Sequence, residues 1–135
     1  MLNKETKTFD YFDHVKDKKF DWKDWNCCIF VDRYIELLTG HKFIPDGITW
    51  TDRKTALEAI RGVERNFLYA VNKVCNEHNY ERVNYQDMKT GDIVLFKEHL
   101  RLLGIFDGTF IKAVGDDGLV RKPKHLTLQA WRVNG

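Results

Sequence analysis

The chain contains few of the residues that mark specialised classes of protein. Its 135 residues include only three cysteines and two prolines. Cys27 and Cys28 are adjacent and the total is odd, so no disulfide framework is indicated and a reducing compartment is expected. No stretch is apolar over the roughly 20 residues that span a bilayer. The N-terminus also lacks the apolar run of a signal peptide. We therefore expect synthesis in the cytoplasm and no membrane anchor.

The chain also lacks a marked excess of charge of either sign. Lys and Arg number 22 and Asp and Glu 20, which gives a net charge of +2. Because the basic residues are spread along the chain, nothing favours nucleic acid or a membrane surface as a partner. Hydrophobic residues make up 43% and charged residues 31%. These values predict one globular domain over residues 1–135, with the polar residues 1–8 flexible.

Helical patterns come first along the chain and strand patterns follow. Apolar residues at helical spacing predict helices over 9–20, 27–40, 52–61 and 63–77. Short apolar runs bounded by turn residues predict strands at 93–96, 101–106, 110–114, 119–120 and 130–133. This order indicates an α+β fold, with N-terminal helices packed on one face of a C-terminal antiparallel β-sheet.

The second helix has the most informative sequence. Asn26 is a suitable N-cap, Cys27 opens the helix, and Gly40 stands where a left-handed residue ends it. A cysteine at a helix N-terminus has its pKa lowered by the helix dipole, which suits a nucleophile. The alternative is that Cys27 and Cys28 are small core residues, the commonest role of free cysteine. Cys75, within the last predicted helix, is expected in the core.

Several short motifs occur along the chain in a recognisable order. They are Trp-Lys-Asp-Trp-Asn-Cys at 22–27, Gly-Asp-Ile-Val-Leu-Phe at 91–96, Leu-Gly-Ile at 103–105, Gly-Leu-Val at 118–120 and Ala-Trp-Arg-Val at 130–133. Together they resemble a family of small phage-encoded proteins found among tail genes and related to the NlpC-type, papain-like cysteine peptidases. The resemblance implies a papain-like fold, with Cys27 at the nucleophile position.

The chain departs from that family pattern at the positions that matter for catalysis. Asn26 replaces the Asp before the nucleophile, Leu102 occupies the catalytic His position, and Lys112 aligns with the residue that orients the imidazole. His99 is the nearest candidate base. It precedes position 102 by an odd number of residues, so on a regular strand the two side chains face opposite sides of the sheet. His125 is more remote, and the remaining histidines lie in polar surface contexts.

Four tryptophans raise the question of a binding surface for saccharides or protein partners. Trp22 and Trp131 are expected in the core, whereas Trp25 and Trp50 are left open between core and binding. No histidines are paired at metal-ligand spacing, and adjacent cysteines suit no common zinc spacing. We expect neither a metal nor a cofactor.

Two main functions follow from the resemblance. In the first, the protein is a non-enzymatic tail-tip or baseplate component on a degenerate NlpC-type fold. It is made in the host cytoplasm, carried in the virion, and bound to other tail proteins. In the second, it is an active peptidase or amidase that cuts peptidoglycan cross-links during DNA entry, with Cys27 as nucleophile and His99 as base. A third reading, acyl or thioester chemistry at Cys27, has no specific support in the sequence.

Overall fold

The structure, a computed structural model, describes residues 3–21, 24–43, 67–99 and 101–133, with the side chains of 67–70 left aside. Three α-helices within these ranges precede the sheet: α1 (Lys4–Val15), α2 (Cys27–Thr39) and α3 (Phe67–Glu77). Six strands follow: β1 (Glu81–Val83), β2 (Ile93–Lys97), β3 (Arg101–Phe106), β4 (Ile111–Gly115), β5 (Gly118–Lys122) and β6 (Thr127–Arg132). The prediction of an α+β fold is confirmed. The predicted helix at 52–61 lies outside the described residues. Among the described helices, none has the length and apolar character that a membrane crossing requires.

Helix α1 begins earlier than the apolar pattern predicted. It starts at Lys4 rather than Phe9, because the Asn3 side chain caps it by accepting the backbone N–H of Thr6 at 2.8 Å. Thr8 is fully buried, and the Lys4 ammonium donates to the carbonyl of Val133 at 2.7 Å. Of the residues 1–8 that were expected to be flexible, Lys4–Thr8 therefore lie in the helix.

Helix α2 has the bounds and caps that its sequence predicted. The Asn26 side-chain oxygen accepts the backbone N–H groups of Cys28 and Ile29, each at 3.0 Å. At the other end Gly40 adopts φ 78°, and its N–H bonds the carbonyl of Glu36 at 2.8 Å. The buried face consists of Phe30, Val31, Tyr34, Ile35 and Leu38.

All six strands belong to one antiparallel sheet in the order β1-β6-β2-β3-β4-β5. All five predicted strands are present, and β1 was missed because three residues of sequence Glu-Arg-Val carry no apolar alternation. One face contacts the helices and shares with them a helix-side cluster whose sheet members are Ile93, Leu95, Leu103, Ile105, Trp131 and Val133. The opposite face carries an inner cluster of Met88, Val94, Phe96, Phe106, Ile111, Ala113 and Ala130.

The sheet is curled around the inner cluster. In a flat sheet of this order β5 and β6 would lie about 19 Å apart. The four residues that connect them include the 3₁₀ turn Lys124–Leu126, which rises only about 2 Å per residue. Leu126 packs against the inner cluster, and Lys122 at the end of β5 pairs with Glu98 beyond β2 at 2.9 Å. Both contacts require the sheet to bend toward its inner face.

A buried ion pair joins two of the sequence motifs. Asp92, fully buried, accepts from Nε of Arg132 at 3.0 Å and from Nη2 at 2.9 Å. It also accepts the backbone N–H of Lys89 at 2.8 Å. The hydrogen bond to Asp92 raises the pKa of Arg132. Next to this pair Gly91 adopts φ 94°, and a Cβ there would stand 2.6 Å from the Tyr34 hydroxyl. The ion pair therefore joins the Gly-Asp segment to the Ala-Trp-Arg-Val segment, and Gly91 brings the Gly-Asp segment against α2.

Candidate thiol site

The Cys27 sulfur lies where the first turn of α2 meets the middle of β3. The side chain is half-buried at the margin of the helix-side cluster. The thiol of Cys28 donates a hydrogen bond to the Cys27 sulfur, which lowers the pKa of Cys27 although burial acts in the opposite direction. Backbone N–H groups of Leu103, Cys28 and Cys27 itself add to the lowering. The site therefore favours a thiolate at Cys27, as expected for the first residue of a helix.

The N–H of Leu103 can act on the Cys27 sulfur because strands β3 and β4 separate beside it. The N–H of Phe106 points toward the β2 side, where it bonds the carbonyl of Asp92 at 2.9 Å. Because the direction alternates along a strand, the N–H of Leu103 points toward β4. The pairing of β3 with β4 comprises only Ile105 with Lys112 and Phe106 with Ile111. The N–H of Leu103 thus lies beyond the hydrogen-bonded pairing of β3 with β4. It faces the Cys27 sulfur where a carbonyl of β4 would otherwise accept it.

The surroundings of the other two cysteines raise their pKa values. Burial raises the pKa of Cys75 to about 12, and its side chain is fully buried, so the prediction of a core residue is confirmed. The pKa of Cys28 is raised, first by its hydrogen bond to Cys27 and then by burial. Of the three cysteines, Cys27 is the only one whose surroundings favour the thiolate.

Leu102 and Lys112, the positions that the sequence resemblance aligned with catalytic residues, lie on opposite faces of the sheet. Leu102 pairs with Phe96 and packs against the inner cluster, away from the helices. Lys112 pairs with Ile105 on the helix side, and its ammonium lies 3.8 Å from the carboxylate of Asp107. A side chain at position 102 therefore does not point toward the Cys27 sulfur.

His99 lies in the turn between β2 and β3 and is exposed. By alternation from Leu103, an extended β3 would direct residue 99 toward the helix side. However, β3 begins at Arg101, so His99 is held by the turn and not by the strand. His125 is exposed in the 3₁₀ turn before β6. Within the described ranges, the sheet face around Cys27 presents no imidazole.

One of the remaining histidines departs from the expected surface context. His78 is half-buried, and its ring stacks on Tyr80 with centroids 5.3 Å apart and on Phe43 with centroids 6.4 Å apart. His14 and His41 are exposed as expected.

Trp25 precedes the cap of α2 and belongs to the core. Its side chain is 2% exposed and meets the ring of Phe30 edge-on at 5.9 Å. The ammonium of Lys18 and the guanidinium of Arg33 lie 4.6 and 5.4 Å from the indole centroid. The indole face is therefore already covered, which leaves no platform for a saccharide. Trp131 is fully buried as predicted.

Part of the predicted site lies outside the described residues, and part of the observed site was missed. Trp22 and Trp50 fall in the ranges that are left aside. Sequence reasoning missed the N–H of Leu103, because a backbone donor leaves no residue signal. The adjacency of the two cysteines was a signal for the hydrogen bond between them. In the described part of the chain, no three His, Cys, Asp or Glu side chains are grouped closely enough to hold a metal ion.

Comparison with known proteins places the chain in a family without assigning an activity. A family model described as "Domain of unknown function (DUF6950)" matches residues 2–133. None of the curated proteins gives a significant match. Because the family model covers nearly the whole chain, the protein belongs to the DUF6950 family of domains of unknown function.

Proposed function

We propose that this protein is a non-catalytic structural or assembly component of a phage tail tip or baseplate, built on a degenerate NlpC-type, papain-like fold. The observation that carries the proposal is the surroundings of Cys27. Its sulfur faces the backbone of Leu103, and position 102 is a leucine directed to the opposite side of the sheet. Cysteine proteolysis needs a base that holds the thiolate and protonates the leaving amine. Leucine has no group that does either.

The arrangement of elements is consistent with this fold. A capped helix begins with a cysteine at the nucleophile position and packs on an antiparallel sheet that follows it in sequence. The motifs that carry the resemblance serve structural contacts, such as the ion pair of Asp92 with Arg132. A protein that keeps these contacts without the catalytic histidine is suited to interaction, because fold and activity are separable. In this proposal it is made in the host cytoplasm and carried in the virion.

The proposal is tested by deletion and complementation in the phage that encodes the chain. Purified particles are analysed by mass spectrometry, and plaque formation is compared between wild type, Cys27→Ala and the neighbouring control Cys28→Ala. We expect the chain in the tail fraction and equal plaque formation with all three. Absence from the particles would exclude the structural role, and loss of plaques with Cys27→Ala alone would show that the thiol is needed.

The second candidate function is a cysteine peptidase or amidase acting on peptidoglycan cross-links. The lowered pKa of Cys27, caused first by the Cys28 thiol and aided by backbone N–H groups, favours it. In this mechanism the Cys27 sulfur attacks an amide carbonyl, and His99 takes up the thiol proton and delivers it to the leaving amine. Backbone N–H groups at the start of α2 stabilise the oxyanion. The turn that carries His99 must then move toward the thiol.

This candidate is tested with labelled peptidoglycan incubated with the purified chain. It predicts release of soluble fragments that is abolished by Cys27→Ala and by His99→Gln, but retained by His125→Gln. Release that persists in the Cys27→Ala protein would eliminate it.

A further inference from the structure

A polar groove lies between α3 and β1 at one edge of the sheet. Its volume is about 560 Å³, within the range of about 300–1,000 Å³ that is common for ligand sites. The helix and the strand meet at a tight turn, in which the N–H of Tyr80 bonds the carbonyl of Cys75 at 2.8 Å. Beyond this turn the groove is lined by five polar side chains: Asn72, Lys73, Asn76, Glu77 and Arg82.

The strand side of the groove is an open edge of the described sheet, because β1 is its terminal strand. The ladder gives the direction of the backbone groups on this edge. The N–H of Phe106 bonds the carbonyl of Asp92, so Asp92 faces β3 and Ile93 faces β6, where it bonds its partner Trp131. Trp131 therefore faces β2. The N–H and carbonyl of Arg82, which pairs with Trp131 from the other side, must then point away from the sheet.

The side chain of Arg82 gives the same groove a positive charge. Paired residues share a face of the sheet, and Trp131 belongs to the helix-side cluster, so Arg82 projects toward the helices and Glu81 away from them. Lys73 and Arg82 thus supply two cations against the single carboxylate of Glu77. Within the described part of the chain, none of these three side chains forms an ion pair. The groove is therefore complementary to a ligand with negative charge.

We propose that an extended peptide segment with an acidic side chain binds in this groove and adds to β1 as a further antiparallel strand. In strand addition, main-chain hydrogen bonds give affinity and side-chain contacts give specificity. The N–H and carbonyl of Arg82 exchange two hydrogen bonds with one residue of the peptide. Asn84 is also extended, with φ −68° and ψ 152°, and its outward N–H donates a third. The acidic side chain of the peptide pairs with Lys73 and Arg82.

A second copy of the chain fits this edge less well than a different peptide. Because the outward backbone groups of β1 belong to Arg82, two copies that pair through β1 place Arg82 opposite Arg82. Like charges directly opposite each other destabilise a pair of strands. A segment with Glu or Asp at that position replaces this repulsion by an attraction.

The test uses the full chain, labelled with ¹⁵N, and a set of Thr/Val octapeptides with blocked ends in which one Glu occupies each position in turn. A matched set carries Lys in place of Glu. We expect at least one Glu peptide to bind, to shift the amide resonances of Arg82 and Asn84, and to slow hydrogen exchange at the N–H of Arg82. The corresponding Lys peptide should bind at least about tenfold more weakly.

Three variants separate a specific site from general attraction between charges. Arg82→Glu should reverse the preference, so that the Lys peptide binds more tightly than the Glu peptide. Lys73→Ala, which leaves β1 unaltered, should weaken binding of the Glu peptide several-fold. Arg121→Glu makes the same change of charge at an exposed position of β5, the other terminal strand, and should leave the preference as in wild type.

Four results would each overturn the proposal. They are equal affinity for the Glu and Lys peptides, resonance shifts centred on β5, no binding of any peptide in the set, and a dimer that buries β1 in analytical ultracentrifugation and hydrogen exchange. The last result would assign the edge to a second copy of the chain.

Discussion

The buried pair of Asp92 and Arg132 gives the sharpest prediction about stability. Replacing Asp92 by Ala removes the acceptor of three hydrogen bonds, two from the Arg132 guanidinium and one from the backbone N–H of Lys89. Removing one partner of a buried ion pair costs about 3–5 kcal/mol, because the other charge is left uncompensated. The Arg132 side chain is 31% exposed, so water can reach the guanidinium. We therefore expect a loss near the lower limit, about 3 kcal/mol.

The assay is urea unfolding followed by tryptophan fluorescence and circular dichroism. With a slope of about 1–3 kcal/mol per molar urea, the midpoint should fall by at least about 1 M with an unchanged slope. The control is Glu98→Ala, which breaks the pair with Lys122. The side chains of that pair are 39% and 28% exposed, and exposed pairs contribute about 0–1 kcal/mol. If Asp92→Ala cost no more than Glu98→Ala, the assignment of Asp92 as a central contact between the motifs would be refuted.

The remaining predictions concern pH, a helix cap and close packing. Burial raises the pKa of Cys75 to about 12, whereas an unfolded thiol ionises near 8.5. The unfolded state thus loses this proton first, and the free energy of unfolding should fall as pH rises between these values. A Cys75→Ala variant should show a shallower fall in urea titrations above pH 8.5. Asn26→Ala, which frees two N–H groups, should cost about 1 kcal/mol. Gly104→Ala should cost about 1–3 kcal/mol in the same assay, because its Cβ would lie 2.7 Å from the Lys112 carbonyl. Equal stability of either variant and wild type would contradict the corresponding contact.

Local sequence signals were sufficient to predict α2 and the strands β2 to β6. Asn26 and Gly40 mark the ends of α2 through their own side-chain and backbone preferences, which operate within a few residues. The strands from β2 to β6 have apolar runs bounded by turns. The start of α1 was misplaced because the residues that precede Phe9 are polar, and their burial depends on contacts with the distant Gly91 and Val133.

The arrangement around the thiol could be predicted only in part. The helix position of Cys27 follows from its neighbours in sequence, and so does the adjacency of Cys28. The direction of Leu102 does not, because strand alternation relates residues to one another without telling which face meets the helices. The free N–H of Leu103 depends on where β3 and β4 separate, and this separation is a property of the curled sheet. Sequence therefore located Cys27 at the start of α2 but not the donors that surround it.

The position of β6 in the sheet has a consequence for biosynthesis. Of the six described strands this one is synthesised after the others, yet it lies between β1 and β2 and supplies both with hydrogen-bond partners. Until residues 127–132 leave the ribosome, β2 has an open edge and Asp92 has no arginine. The sheet should therefore stay incomplete until β6 pairs, since pairings between distant segments form late.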